Sequence, residues 1–316
     1  MRTAWMFPGQ GSLRPGCVRA AEAVADGAGA AEGRAAAAAA RTLDAIGEAV
    51  GRDLRALGDD RDAGARTADA QPTIFAASLA AAAALHELGA APDVVAGHSL
   101  GECTAAVAAG AWPLDDGARL VAARGEAMGR ACAATPGAMA AVVKLAAAAV
   151  EELTSRHPEV VVANDNAPGQ VVVAGPPDAI AEVRGTAREL GGRAVPLEVE
   201  GAFHSPAMAP ARDELAAALA DLRPDAPSVP LLTGTSVTVL DDASAVADAL
   251  VEGVLAPVRW REVQEALAAD GVTHLVEVGP GGVLAGLAKR TVPDLEVVTV
   301  ATPADAVAVA GLLVPA

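Results

Sequence analysis

Val94-Val95-Ala96-Gly97-His98-Ser99-Leu100-Gly101-Glu102-Cys103 is the stretch from which the rest of the chain is read. A short β-branched run ends in glycine, a serine stands between two glycines, and a helix-forming segment follows. This is the G-x-S-x-G arrangement, in which a tight strand-to-helix turn pushes a serine hydroxyl out of the backbone. Gly97 and Gly101 suit such a turn because a side chain at either would collide across it. The Ser99 hydroxyl then sits at a helix N-terminus, where unpaired N–H groups and the helix dipole favour developing negative charge. A plain structural turn fits the same five residues; the strand before and the helix after are what favour a nucleophile.

Outward from this turn, strands and helices alternate. Trp5-Met6-Phe7 reads as a buried strand running into the glycine-rich loop Pro8-Gly9-Gln10-Gly11-Ser12. No Gly-Lys-Ser/Thr follows, which excludes a nucleotide P-loop. Leu43, Ile46, Val50, Leu54 and Leu57 recur at three- and four-residue spacing and predict one amphipathic helix over 32–57. A surface loop is expected over 59–69, then a nearly all-apolar helix opened by Pro72 and closed by Gly89. After the serine turn, Asp115 is placed to cap a helix reaching Cys132. Leu120, Arg124 and Met128 share one face of that helix. Spacing alone favours an Arg124 that snorkels to solvent over one aimed into a cleft.

Between Thr135-Pro136-Gly137 and His204 the style changes. Strands are expected at 138–145, 160–163, 170–174 and 194–199, with helices at 146–155 and 177–190; Asn164 to Gly169 is read as the turn between the middle strands. This βαββαβ order is ferredoxin-like and can be inserted whole. Alternation then returns: helices at 209–222, 242–255 and 260–269, strands at 229–233 and 274–278, the turn Gly279-Pro280-Gly281-Gly282, a helix to Arg290, a strand near Val297 and a last helix. The expected fold is therefore α/β: a hydrolase-like parallel-sheet large domain (1–134 and 204–316) interrupted by a ferredoxin-like small domain (135–203).

Composition narrows the function. The 316 residues carry 23 basic and 40 acidic side chains, a net charge of −17, which argues against nucleic acid or an anionic membrane as the main partner. Aromatics make up 2% and tyrosine is absent, so base-stacking platforms are not expected. The longest weakly polar runs fall short of the ~20 residues that a membrane helix needs, and no secretory signal is evident, so a cytoplasmic location is expected. Cys17, Cys103 and Cys132 lack metal spacing and read as reduced thiols. Cys103, four residues past Ser99, reads as buried filler.

A serine nucleophile needs a base, and five histidines are available. His86, His157 and His274 read as structural, and His98 is adjacent to Ser99 but points away from it. His204, in Gly201-Ala202-Phe203-His204-Ser205-Pro206, lies where the small unit hands back to the large one, a common place for a cleft. From there it could take the Ser99 proton and return it to a leaving group.

Seven separated motifs then resemble one family in order. They are Phe7-Pro8-Gly9-Gln10-Gly11-Ser12, Gly97-His98-Ser99-Leu100-Gly101-Glu102, Arg124-Gly125 with Met128, and Asn164 to Gln170 with the valines that follow. The last three are Ala202-Phe203-His204-Ser205-Pro206, Pro257-Val258-Arg259-Trp260 and Glu277-Val278-Gly279-Pro280-Gly281. The chain resembles the malonyl-CoA:acyl carrier protein transacylases and, beyond them, the acyltransferase domains of polyketide synthases. The resemblance implies ping-pong transfer of malonyl from malonyl-CoA, through a Ser99 ester, to the phosphopantetheine thiol of an acyl carrier protein. It implies His204 as base and acid, and the backbone N–H groups of Gln10 and Leu100 as oxyanion hole. Arg124 would hold the malonyl carboxylate, with Phe203, Met128, His98 and Asn166 around the acyl group. Phe203 would crowd an α-methyl substituent, a discrimination worth only ~1–3 kcal/mol. No permanently bound cofactor or metal is implied; coenzyme A enters as the substrate thioester.

Two positions depart from the family pattern. Leu13 stands where glutamine usually follows the serine, and Gly253 stands where a glutamine's main-chain carbonyl would orient the histidine. Arg184, Arg188, Arg193, Lys289 and Arg290 are candidate contacts for an acidic carrier, against the plainer reading of solvated charges. An editing hydrolase or thioesterase on the same fold, a transferase for a substituted malonyl unit, and a non-catalytic docking subunit are the competing readings. Fatty acid and polyketide synthesis are both open as the destination.

Overall fold

A computed structural model describes residues 1–313. The elements run β1 (Thr3–Phe7), α1 (Cys17–Ala20), α2 (Ala30–Val50), α3 (Leu54–Asp59), α4 (Thr67–Glu87), β2 (Val94–Gly97), α5 (Leu100–Ala108) and α6 (Leu114–Ala134). Next come β3 (Ala138–Val143), α7 (Ala147–Arg156), β4 (Val161–Ala167), β5 (Gln170–Gly175), α8 (Pro177–Glu189) and β6 (Arg193–Pro196). The chain closes with α9 (Ala209–Asp221), β7 (Leu231–Leu232), β8 (Val239–Leu240), α10 (Ala243–Glu252), α11 (Trp260–Ala269), β9 (His274–Val278), α12 (Val283–Thr291), β10 (Glu296–Val300) and α13 (Pro303–Leu313).

The larger sheet has the order β10-β9-β1-β2-β7-β8, parallel as far as β7 and antiparallel at the β8 edge. Because side chains alternate along a strand, β1 serves two cores at once. Trp5 and Phe7 pack into the layer that includes alanine-rich α2, α4 and α6, while Ala4 and Met6 face Trp260, Val263 and Leu267 of α11 and Leu284 and Leu287 of α12. Burial on both faces is why β1 is apolar without interruption from Ala4 to Phe7. In the smaller sheet, β4-β5-β3-β6, Ala140, Val142 and Val173 pack under α7 and α8. Its other face turns toward the large sheet.

Several expectations change. The single helix over 32–57 is two: α2 ends at Val50 because Gly51 is left-handed at φ 65°, and Asp53 caps α3 by accepting from the N–H groups of Arg55 and Ala56. Apolar spacing continues across the break because both pieces pack on the same core. Pro72 does not open its helix; α4 begins at Thr67 and carries Pro72 in its second turn. Proline has no N–H to give the carbonyl four residues back, and the Arg52 guanidinium donates to that Ala68 carbonyl at 2.9 Å instead. Asp115 lies inside the first turn of α6 and does not cap it; Pro113 precedes the helix. β4 runs through to Ala167, its pairing with β5 shifted twice by bulges, so the turn shrinks to Pro168-Gly169. The strand expected at 229–233 shortens to two residues, and β6 stops at Pro196.

Candidate active site

The C-terminal ends of β1, β2 and β9 carry the functional loops, as expected at the carboxyl edge of a parallel sheet. β2 ends at Gly97, and Ser99 follows at φ 54°, ψ −109°, one residue before α5. The crossing is too tight for side chains: a Cβ on Gly97 would lie 1.9 Å from the Gly101 carbonyl carbon, and one on Gly101 2.0 Å from the Phe7 oxygen. A non-glycine residue in such a conformation costs about 1–3 kcal/mol, and surrounding packing must hold it there. His204 is also left-handed, at φ 56°. Strain thus sits on both members of one contact.

That contact is direct. The Ser99 hydroxyl lies 2.8 Å from His204 Nε2, while Nδ1 lies 3.0 Å from the Ala256 carbonyl. A carbonyl only accepts, so Nδ1 carries the proton and Nε2 presents its lone pair to the serine. The carbonyl in direct contact is that of Ala256, with the Gly253 carbonyl acting more weakly behind it; α10 ends at Glu252 and the chain turns once more before reaching the imidazole. Burial, then the charge of Arg124, then His98 push His204 down to about 3, with the carbonyls of Ala256 and Gly253 opposing. At neutral pH the imidazole is uncharged and free to accept a proton.

Gln10 opens a 3-10 turn and Leu100 opens α5, so neither N–H has a partner within its own helix. Gly9 brings the two loops together: a Cβ there would sit 2.8 Å from the His98 carbonyl oxygen. The Gln10 side chain turns away, its amide donating to Thr67 Oγ1 at 3.3 Å.

Arg124 does not snorkel. It is 3% exposed, donates to Gln71 Oε1 at 2.7 Å, and brings its other terminal nitrogen to 3.4 Å from Ser99 Oγ. No carboxylate forms an ion pair with it among the described residues. Met128 backs this arrangement, taking a hydrogen bond from the Gln71 amide at 3.3 Å on its sulfur; it is buried there and is not a wall of the cavity. His98 Nε2 and Asn166 Oδ1 lie 2.8 Å apart, and the His98 ring meets Trp260 edge-on. Ser99, His204, His98, Asn166, Phe203 and Gln10 all line a cavity of about 250 Å³. Met139, Ala141 and Val172 of the small sheet form one side, and Val283, Leu284 and Leu287 of α12 another.

The sequence matches the acyl transferase domain family over residues 4–315. The chain belongs to this family. It is 36% identical to the malonyl CoA-acyl carrier protein transacylase of Bacillus subtilis over 309 residues, covering 96% of this chain and 94% of that protein. The solved acyl-carrier-protein S-malonyltransferase of Burkholderia pseudomallei superposes with a TM-score of 0.90 at 38% identity, covering 98% of this chain and all of the other. A type II polyketide synthase malonyl-transacylase, solved in complex with its acyl-carrier protein, gives 0.90 at 33% identity, covering 99% and 100%. These neighbours share the two-part fold described above.

Two polar residues of this acyltransferase site carry little signal in the sequence. A helix beginning at Pro72 leaves out Gln71, the direct partner of Arg124. A glutamine beside an apolar run was the available signal. Glu102 stands out in the sequence only as part of a motif, yet it is buried under the elbow and accepts the Gly234 N–H at 2.5 Å. Burial raises its carboxyl to about 7, against the Gly234 hydrogen bond and the charge of Arg124. Glu277 is a second buried carboxylate, with a structural task. It folds beneath the Gly279–Gly282 turn and accepts from the N–H groups of Gly282 and Ala285, fixing the start of α12 and hence one cavity wall. Among the described residues no helix is long and apolar enough to cross a membrane.

Proposed function

We propose that this chain moves a malonyl group from malonyl-CoA to the phosphopantetheine thiol of an acyl carrier protein, in the cytoplasm and without a resident cofactor. The observation that carries the reading is Arg124. A buried guanidinium that pairs with no carboxylate among the described residues, 3.4 Å from the Ser99 hydroxyl, is complementary to an acyl group ending in a carboxylate.

In the first half-reaction His204 Nε2 takes the Ser99 proton as Oγ bonds to the thioester carbon. The carbonyl electrons move to oxygen, where the N–H groups of Gln10 and Leu100 receive the charge. The intermediate collapses, the carbon–sulfur bond breaks, and His204 returns the proton to the departing coenzyme A sulfur. The second half runs in reverse with the carrier's thiol, which gives its proton to His204 and takes the malonyl group. A bound malonyl carboxylate neutralises Arg124, one of the causes that hold His204 down. Acyl groups without a carboxylate leave that charge in place and the imidazole a weaker base. Phe203 beside the base disfavours substituted malonyl units.

Residues 135–203 act as the small domain and the remainder as the large one, with the cavity between the small sheet and the elbow. For carrier docking, Arg290 and Lys289 fit better than Arg184 and Arg188. Arg290 donates to Gln170 on the cavity lining, and α12 itself lines the cavity. α8, bearing Arg184 and Arg188, covers the opposite face of the small sheet; Arg193 sits on the edge strand β6. Incubation with labelled malonyl-CoA and carrier protein tests the function. Label should pass to the carrier in the parent protein and to neither partner in Ser99→Ala. Release of free malonate without carrier labelling would establish the hydrolase instead.

A further inference from the structure

We propose that Glu102 is a positioning residue that sets the distance between Ser99 and His204. The inference rests on reading those two side chains as the reacting pair.

Glu102 lies in the first turn of α5, its own N–H donating to the Ser99 carbonyl at 2.9 Å. An acidic residue in a first turn ordinarily stabilises the helix dipole from the surface. This one is 4% exposed, and its Oε1 turns away from the helix to the N–H of Gly234, between β7 and β8. Gly234 passes the constraint on, because its carbonyl accepts the Arg259 N–H at 2.7 Å. Arg259 ends the short segment whose Ala256 carbonyl holds His204 Nδ1. The second oxygen, Oε2, meets the start of the same segment: a Cβ on Gly253 would lie 3.2 Å from it.

The contacts therefore close a ring. From Ser99 it passes through the first turn of α5 to Glu102, on to Gly234 and Arg259, back along the chain to Ala256, and through His204 to Ser99 again. Within that ring Glu102 is the one side chain joining the serine's helix to the histidine's carbonyl. The 253–259 segment also has independent anchors, since Val258 exchanges backbone hydrogen bonds with Ala163 and Asp165 of β4 at 2.9 and 2.8 Å. Removing the carboxylate should thus misplace the segment without unfolding it. Misalignment of reacting groups by about 1 Å can cost about 10²-fold in rate.

The test reads the pair without any malonyl group, by the rate at which a small fluorophosphonate labels Ser99, followed by intact mass. Malonyl transfer kinetics and melting temperature are measured alongside. Glu102→Ala should slow labelling and lower kcat on the order of 10- to 100-fold, with KM unchanged. Glu102→Gln, which keeps an oxygen facing Gly234, should restore most of both rates. Gly234→Ala, whose Cβ would press to 3.2 Å from the Gly97 oxygen and 3.4 Å from Glu102 Oε1, should slow both with the melting temperature preserved. Parental labelling in folded Glu102→Ala overturns the proposal, as does a Gln variant as slow as Ala. If the alanine variant does not fold, parental labelling in Gly234→Ala overturns it. Failure of the malonyl reading shows differently, as absent transfer with Ser99 labelling intact.

Discussion

Replacing Arg124 with methionine should make the protein a worse malonyl transferase without making it less stable. The guanidinium is 3% exposed, with one full hydrogen bond, to Gln71 at 2.7 Å, and one long contact, to Ser99 at 3.4 Å. A buried charge without an opposite partner costs several kcal/mol of desolvation. An unbranched apolar side chain of similar length removes that cost. Against this, Gln71 Oε1 loses its donor, a penalty of about 1–3 kcal/mol. The net change is expected between roughly 0 and +2 kcal/mol, or an increase of at most a few degrees in melting temperature. Catalysis moves the other way. Loss of a charged hydrogen-bonded clamp worth about 1.5–3 kcal/mol lowers kcat/KM for malonyl-CoA by roughly 10- to 150-fold. Acetyl-CoA has no carboxylate to lose, so the acetyl-to-malonyl ratio should rise at least about tenfold. Steady-state transfer to a carrier protein with each thioester, together with differential scanning fluorimetry, gives both numbers. A variant that melts well below the parent and keeps its malonyl preference would refute the reasoning, because Arg124 would then be a structural cation.

Two further outcomes follow from a buried carboxylate and a half-buried arginine. Glu102 has a folded-state carboxyl near 7 against an ordinary value of 4.5. The folded state thus favours its protonated form; that contribution is complete below 4.5 and is lost as pH rises through 7. Glu102→Gln does not ionise and should gain on the parent by up to about 3 kcal/mol between pH 5 and pH 8; parallel urea stabilities at the two pH values would contradict this. Arg52→Ala should cost about 1–3 kcal/mol by stranding the Ala68 carbonyl. Adding Pro72→Ala restores an N–H to that carbonyl and should recover part of the loss in chemical denaturation; additive losses in the double variant would show that the carbonyl is not what Arg52 serves.

Much of the architecture was readable from one dimension because its causes are local. The serine turn is specified by glycines two residues either side of Ser99, and the clash distances at Gly97 and Gly101 show how little else would fit. The small unit is legible as the order strand-helix-strand-strand-helix-strand, while the pairing β4-β5-β3-β6 comes from the structure. His204 emerged by elimination among five histidines and its place at a junction. Where periodicity was the only guide it erred at punctuation: Gly51 splits a helix whose apolar spacing runs on, and Pro72 sits inside a helix it was expected to begin.

By itself, then, the sequence determined which residues are candidates for the chemistry and which elements carry them, since strand, turn and helix preferences depend on neighbours a few positions away. Only the tertiary structure decided what those residues meet. Arg124 reads as a solvent-seeking cation along its helix, and becomes a buried one because α4 packs across it and supplies Gln71. The carbonyl that orients His204 belongs to Ala256, because the chain turns once more after α10 before it reaches the imidazole. Glu102 joins the two halves of the site across 132 positions. Contacts of that span are set by how sheets and helices close-pack, and no local pattern carries them.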